Sequence, residues 1–309
     1  MRVTEAAMML LLAASLAGTP GLFDYDTEAP LVIDGKLLYE RDSVKVLDIT
    51  YASPKGGRVT AYLVLPAGKG PHAGIVFGHW GYGNRTEFLP EAELYARAGA
   101  AGIIIDYPWT RPAEWRRAIN TVTSKESDFD VYVQAVVDLR RAVDVLQARA
   151  DVDPDRIGYI GHSFGAHWGA ILAAVDDRVR SAVLMAGVPD DDAVYRDSTD
   201  PEIADVRAQL GKKLEEWLDT MRPIAAVNFV PHAAPKPLLF QFARYERLFG
   251  EAAMKRYYDA ASSPKEILWY NTGHELNDPR ALADRARWVE RQLKLAPLAP
   301  LLMERMGLP

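Results

Sequence analysis

Six short, almost unbroken apolar runs constrain this chain more than any other feature: AGIVFG (73–78), AGIIIDYP (101–108), RIGYIG (156–161), RSAVLMAG (180–187), KPLLFQF (236–242) and KEILWYN (265–271). A strand buried on both faces needs such a run, because neither face can carry polar residues. The intervening segments have helical character. EFLPEAELYARAG (87–99) ends at a glycine, and DFDVYVQAVVDLRRAVDVLQAR (128–149) repeats Val133, Val136, Val137, Val143 and Leu146 at helical spacing. FGAHWGAILAAV (164–175), 250–261 and 280–294 complete the alternation. Strands alternating with helices predict a parallel sheet covered on both faces. Upstream, VKVLDITYAS (44–53) and VTAYLVLP (59–66) flank the turn PKGGR and read as an antiparallel hairpin. The expectation is a mostly parallel eight-stranded α/β sheet in one domain over residues 21–309.

The stretch 188–234, between the sixth and seventh predicted strands, is far longer than an ordinary crossover. It holds one amphipathic segment, 202–221, with Ile203, Val206, Leu210, Leu214, Trp217 and Leu218 on one side. A helical insertion of this kind is expected to act as a lid. The tail APLAPLLMERMGLP is punctuated by proline and is expected to wrap the surface.

A formal net charge of −6 argues against nucleic acid as a partner, which calls for a basic surface. The chain has no cysteine, so disulfides, thiolate nucleophiles and cysteine-ligated zinc are excluded. No H-E-x-x-H pattern and no carboxylate cluster with metal spacing is present, so neither metal nor cofactor is expected. At the N-terminus, Arg2, an apolar run from Ala6 to Ala17 and the small residues Ser15 and Ala17 resemble an export leader. A weakly basic start containing Glu5 fits instead a helix packed on the domain. The first reading places the protein outside the cytoplasm or in the periplasm, the second in the cytoplasm. The run is too short to span a membrane, so no stable membrane association is expected.

Gly161-His162-Ser163-Phe164-Gly165 has the G-x-S-x-G form, between a predicted strand and a predicted helix. With 22 glycines in 309 residues, about 0.05 such matches arise by chance. In this context the pattern reads as a strained turn that exposes a nucleophilic serine at a helix N-terminus, where developing negative charge is favoured. A serine hydroxyl needs a general base. His274, in YNTGHELND after the last predicted strand, lies at the same sheet edge as Ser163, where ligand crevices form. The other histidines suit less well: His162 within the turn is expected to point away from the serine, His167 to pack, His79 to brace its loop, His72 to sit in a surface turn and His232 on the insertion. The orienting acid should fall between serine and histidine in chain order. Glu246, in the loop ARYERLFGE after the seventh predicted strand, is the first choice; Asp190, Asp191 and Asp192 compete. Two backbone donors should hold an oxyanion: Phe164, and either Trp80 or Gly81 in GHWGYGNR (78–85). Tyr82 and Trp109 are the candidate substrate contacts.

These pieces together (GIVFGHWGYGNR, DPDRIGYIGHSFGAHWGA, KPLLFQFARYERL and YNTGHEL) resemble the α/β-hydrolase superfamily, and within it dienelactone-hydrolase-like and prolyl-oligopeptidase-like bacterial esterases. The resemblance runs from about Val44 to Leu293. It implies a serine hydrolase that cleaves a small carboxylic ester through an acyl-enzyme. A peptidase on the same machinery and a non-catalytic binding protein are the alternatives. Two departures stand out. Relatives carry aspartate in a G-x-x-D loop where this chain has Ala243 and Glu246, and dienelactone hydrolases proper use a cysteine nucleophile.

Overall fold

The computed structural model describes residues 21–119, 128–305 and 307; the expected leader, within residues 1–20, lies outside them. The sheet has nine strands: β1 (Asp34–Arg41), β2 (Val44–Ala52), β3 (Arg58–Leu65), β4 (His72–Gly78), β5 (Ala100–Ile105), β6 (Val152–His162), β7 (Val179–Met185), β8 (Leu238–Ala243) and β9 (Lys265–Tyr270). Their order is β1-β2-β3-β5-β4-β6-β7-β8-β9. β1, β2 and β3 form an antiparallel meander, β3 also runs antiparallel to β5, and every other pairing is parallel. β1 makes the sheet nine-stranded instead of eight. It is an outer strand with seven of its eight residues exposed, so neither face imposes the apolar pattern by which strands are read. β4, β5 and β8 are buried along their whole length, as unbroken apolar runs require.

Helices cover both faces. α1 (Leu89–Arg97) joins β4 to β5, α2 (Asp128–Gln147) precedes β6, and α3 (Phe164–Val175) joins β6 to β7. The insertion between β7 and β8 contains α4 (Pro201–Leu210), α5 (Lys212–Met221) and the single turn α6 (Ala226–Phe229). α7 (Glu251–Ala260), α8 (Pro279–Leu293) and α9 (Ala299–Arg305) follow. One core is built on α2, α3, α7 and the insertion, the other on α1, α8 and α9. The C-terminal tail forms α9 and buries Leu298 and Leu302; proline at its first turn starts a helix there instead of preventing one. Across the second core Arg285 of α8 makes a bidentate pair with Glu91 of α1, at 2.8 and 2.6 Å. Among the described residues no helix is long and apolar enough to cross a membrane.

The amphipathic segment 202–221 is two helices, broken at Gly211, where φ is +50°. α5 buries Leu214, Trp217, Leu218 and Met221, whereas α4 buries nothing completely. The apolar stripe therefore belongs mostly to the core.

The strand order places the site. From β4 the chain passes through α1 to β5 on one side and later enters β6 on the other. Loops leaving the carboxyl ends of β4 and β6 thus diverge and open a crevice between them, the usual position of a ligand site in an open parallel sheet.

Candidate active site

Ser163 follows the last residue of β6 and caps α3 with φ +56° and ψ −113°. A non-glycine residue is rarely held there, and the strain is maintained only by what surrounds it. Its N–H donates to the Met185 carbonyl at 2.8 Å, tying the turn to β7. The flanking glycines are sterically required. A β-carbon on Gly165 would lie 2.0 Å from the Gly78 carbonyl oxygen, and one on Gly161 would lie 2.4 Å from the Gly165 carbonyl oxygen. Strand, turn and helix are packed backbone to backbone.

The loop after β9 brings His274 to the serine. His274 Nε2 is 2.8 Å from Ser163 Oγ, and its Nδ1 is 2.6 Å from Glu246 Oε2. A carboxylate can only accept, so Nδ1 carries the proton and the Nε2 lone pair faces the hydroxyl. Glu246 lies three residues past β8. Its other oxygen accepts from the Leu248 N–H at 3.0 Å, and its side chain is almost wholly buried. Among the described residues it is the only carboxylate within ion-pair distance of His274. The competing aspartates are placed otherwise. Asp190 caps the Ala193 N–H and pairs with Arg256, and Asp192 pairs with Arg222 and Arg196. Asp191 is pushed up to about 7, chiefly by burial and then by Asp190, Asp192 and Asp128.

The β4 loop supplies the opposite wall. The Trp80 N–H donates to Glu87 Oε2 at 2.8 Å, so it is engaged. The N–H groups of Gly81 and Phe164 have no partner among the described residues. Trp109 Nε1 donates to the Gly81 carbonyl at 2.5 Å, which turns that peptide's carbonyl toward the indole. Trp109 is buried and packs on Phe164 and Tyr132, so it braces the loop; exposed Tyr82 stands edge-on to Trp80. Tyr82 and Trp109 together line a cavity of about 420 Å³ with Asn84, Thr110 and Arg116. Trp168 closes the same aromatic wall beside the serine, 4.8 Å from Tyr132.

The other histidines separate by burial. His167 Nε2 donates to the Ile224 carbonyl at 3.1 Å, and burial lowers this histidine to about 4, so it stays neutral. His79 is buried and lowered for the same reason, and holds its own loop through the Trp80 carbonyl. His72 is buried at the start of β4, not in a surface turn. His162 does not turn away from the site: its ring centroid lies 5.3 Å from that of His274. The sequence held no signal for this contact, because its two partners lie 75 and 112 residues away.

A parallel sheet whose crevice-edge loops carry a serine on a strained strand-to-helix turn, with a histidine and a carboxylate from later loops, is an α/β-hydrolase. Solved structures agree on the fold. An acetyl xylan esterase from Paenibacillus sp. R4 superposes with a TM-score of 0.75 at 20% identity, covering 95% of this chain and 96% of that one. Acetyl xylan esterase 1 from Thermoanaerobacterium sp. JW/SL YS485 gives 0.74 at 18% identity, covering 88% and 91%. Residues 35–189 match the acetyl xylan esterase (AXE1) family model, and the chain belongs to that family of carboxylic-ester hydrolases. The Bacillus subtilis (strain 168) protein YtaP, whose name goes no further than hydrolase, is 46% identical over 116 residues. That match spans 38% of this chain and 30% of YtaP's own length.

Proposed function

We propose that the protein is a serine carboxylesterase acting on short-chain, chiefly acetyl, esters of a carbohydrate alcohol. The observation that carries the mechanism is the hydrogen-bonded chain Ser163–His274–Glu246. Ser163 Oγ attacks the ester carbonyl carbon as its proton passes to His274 Nε2. The tetrahedral oxyanion accepts from the Gly81 and Phe164 N–H groups. Collapse breaks the bond to the alkoxy oxygen, which leaves as the alcohol with the proton from His274. Water then attacks the acyl-serine, gives a proton to the same nitrogen, and the acid departs as Ser163 is restored. Glu246 keeps Nδ1 protonated and stabilises the imidazolium formed at each step.

The short acyl group is supported by the aromatic wall of Phe164, Trp109, Tyr132 and Trp168 beside the serine. The carbohydrate is supported by the family, by the acetyl xylan esterases that share its fold, and by exposed Trp80, Tyr82 and Tyr245, whose faces suit sugar rings. The same reading makes α4 a rim of the site. It buries no residue completely and packs on the turn at 192–196, whose Tyr195 stands edge-on to Trp217.

Turnover of p-nitrophenyl acetate, p-nitrophenyl butyrate and aminoacyl-p-nitroanilides separates esterase from peptidase. Acetate is expected to lead and the anilides to be inert. Ser163→Ala, folded by circular dichroism, is expected to lose about 10⁴-fold or more in kcat, because the members of such a triad act as a unit. An organophosphate should add its mass to the peptide holding Ser163. A folded Ser163→Ala protein of near wild-type activity would sink the mechanism.

A further inference from the structure

Beside the serine, histidine and glutamate lies a second histidine–carboxylate pair. His162 Nδ1 is 2.7 Å from Glu87 Oε1, and its Nε2 is 2.9 Å from the carbonyl oxygen of His274. Turning the ring over would replace both nitrogens with carbons and lose both bonds. His162 is nearly buried, with a side-chain exposure of 7%, so an unmade contact there would cost free energy. We propose that His162 is a positioning residue, clamping the oxyanion loop and the catalytic-histidine loop to the nucleophile's turn.

The clamp has two arms. Through Nε2, His162 fixes the backbone of His274 itself. Through Nδ1 it fixes Glu87, whose other oxygen takes the Trp80 N–H at 2.8 Å. That contact occupies the Trp80 donor and leaves the next one, on Gly81, for the oxyanion. The three loops that must meet within a few tenths of an ångström are thus joined by three hydrogen bonds. Placement of this kind is worth large factors in rate, since a small misplacement of reacting groups is costly.

The inference rests on the serine-esterase reading, and its test separates the two. His162→Phe keeps a ring and loses both hydrogen bonds. It is expected to cut kcat on p-nitrophenyl acetate by about tenfold or more with KM within about twofold. Glu87→Ala, which frees the Trp80 N–H and loses one arm, should lower kcat likewise with KM kept. The double variant should lose no more than the worse single one, because both act through one clamp. Wild-type kcat in a folded His162→Phe or Glu87→Ala protein, or fully additive losses in the double variant, would overturn the proposal. Organophosphate labelling of wild type reads the nucleophile independently: labelling with unchanged kcat in the variants removes only the clamp, and absence of labelling removes the esterase reading.

Discussion

At the scale of single residues, the acid is the instructive case. Glu246 reaches His274 at 2.6 Å, and its second carboxylate oxygen is anchored by the Leu248 N–H. Glu246→Gln should lower kcat on p-nitrophenyl acetate by about 10³ to 10⁴-fold, because the amide can present the wrong atom to Nδ1 and cannot balance the imidazolium. Glu246→Asp should lose at least about tenfold, since the shorter side chain leaves a gap; full activity in that variant would show that the loop adapts. Asp190→Asn tests the rival acid. It should lower the melting temperature through the Arg256 pair and the Ala193 cap while retaining kcat. That Ser163, Glu246 and His274 come together was readable because each sits just past a recognisable strand. Glu87 was not, since nothing within its own loop marks it as the partner of a residue on β6.

At the scale of elements, the insertion shows how a helical pattern can mislead. Its apolar stripe runs across Gly211 without a change of period, yet the two halves do different work. Trp217 in α5 is buried, packs edge-on to Tyr195 and donates its indole N–H to Asp128 at 2.9 Å. Trp217→Ala should therefore cost about 3–5 kcal/mol in urea unfolding. Ile203→Ala in α4, where nothing is fully buried, should cost about 1 kcal/mol or less. Replacing α4 alone by a short linker should shift acetate-to-butyrate preference at little cost in stability. An equal loss from both point variants would mean that α4 is as firmly packed as α5. The pair Arg285–Glu91 makes a parallel point: Glu91→Ala leaves a guanidinium buried between two helices, and a loss of about 3–5 kcal/mol is expected.

At the scale of the whole molecule, two titratable groups give stability opposing dependences on pH. Asp191, raised to about 7 from an unfolded value near 3.9, binds a proton in the folded state that the unfolded chain has released. Its contribution declines as pH rises through that interval. His167, lowered to about 4 from about 6.5, is protonated first in the unfolded chain, so its contribution declines as pH falls through that interval. Asp191→Asn should raise the melting temperature at pH 8, with the gain shrinking toward pH 4; a gain independent of pH would assign it to something other than charge. The sequence by itself determined the parallel sheet, because its unbroken apolar runs alternate with helical segments, and it determined the turn at Ser163, because only glycine permits backbones to approach within contact there. The outer strand β1 was illegible, since exposure on both faces leaves no pattern to read. Which of four carboxylates meets His274, which backbone donor remains open, and that His162 faces the site were decided only by tertiary structure. Each depends on the relative placement of loops from different strands, and sequence periodicity records which face of an element is buried, not which distant loop lies against it.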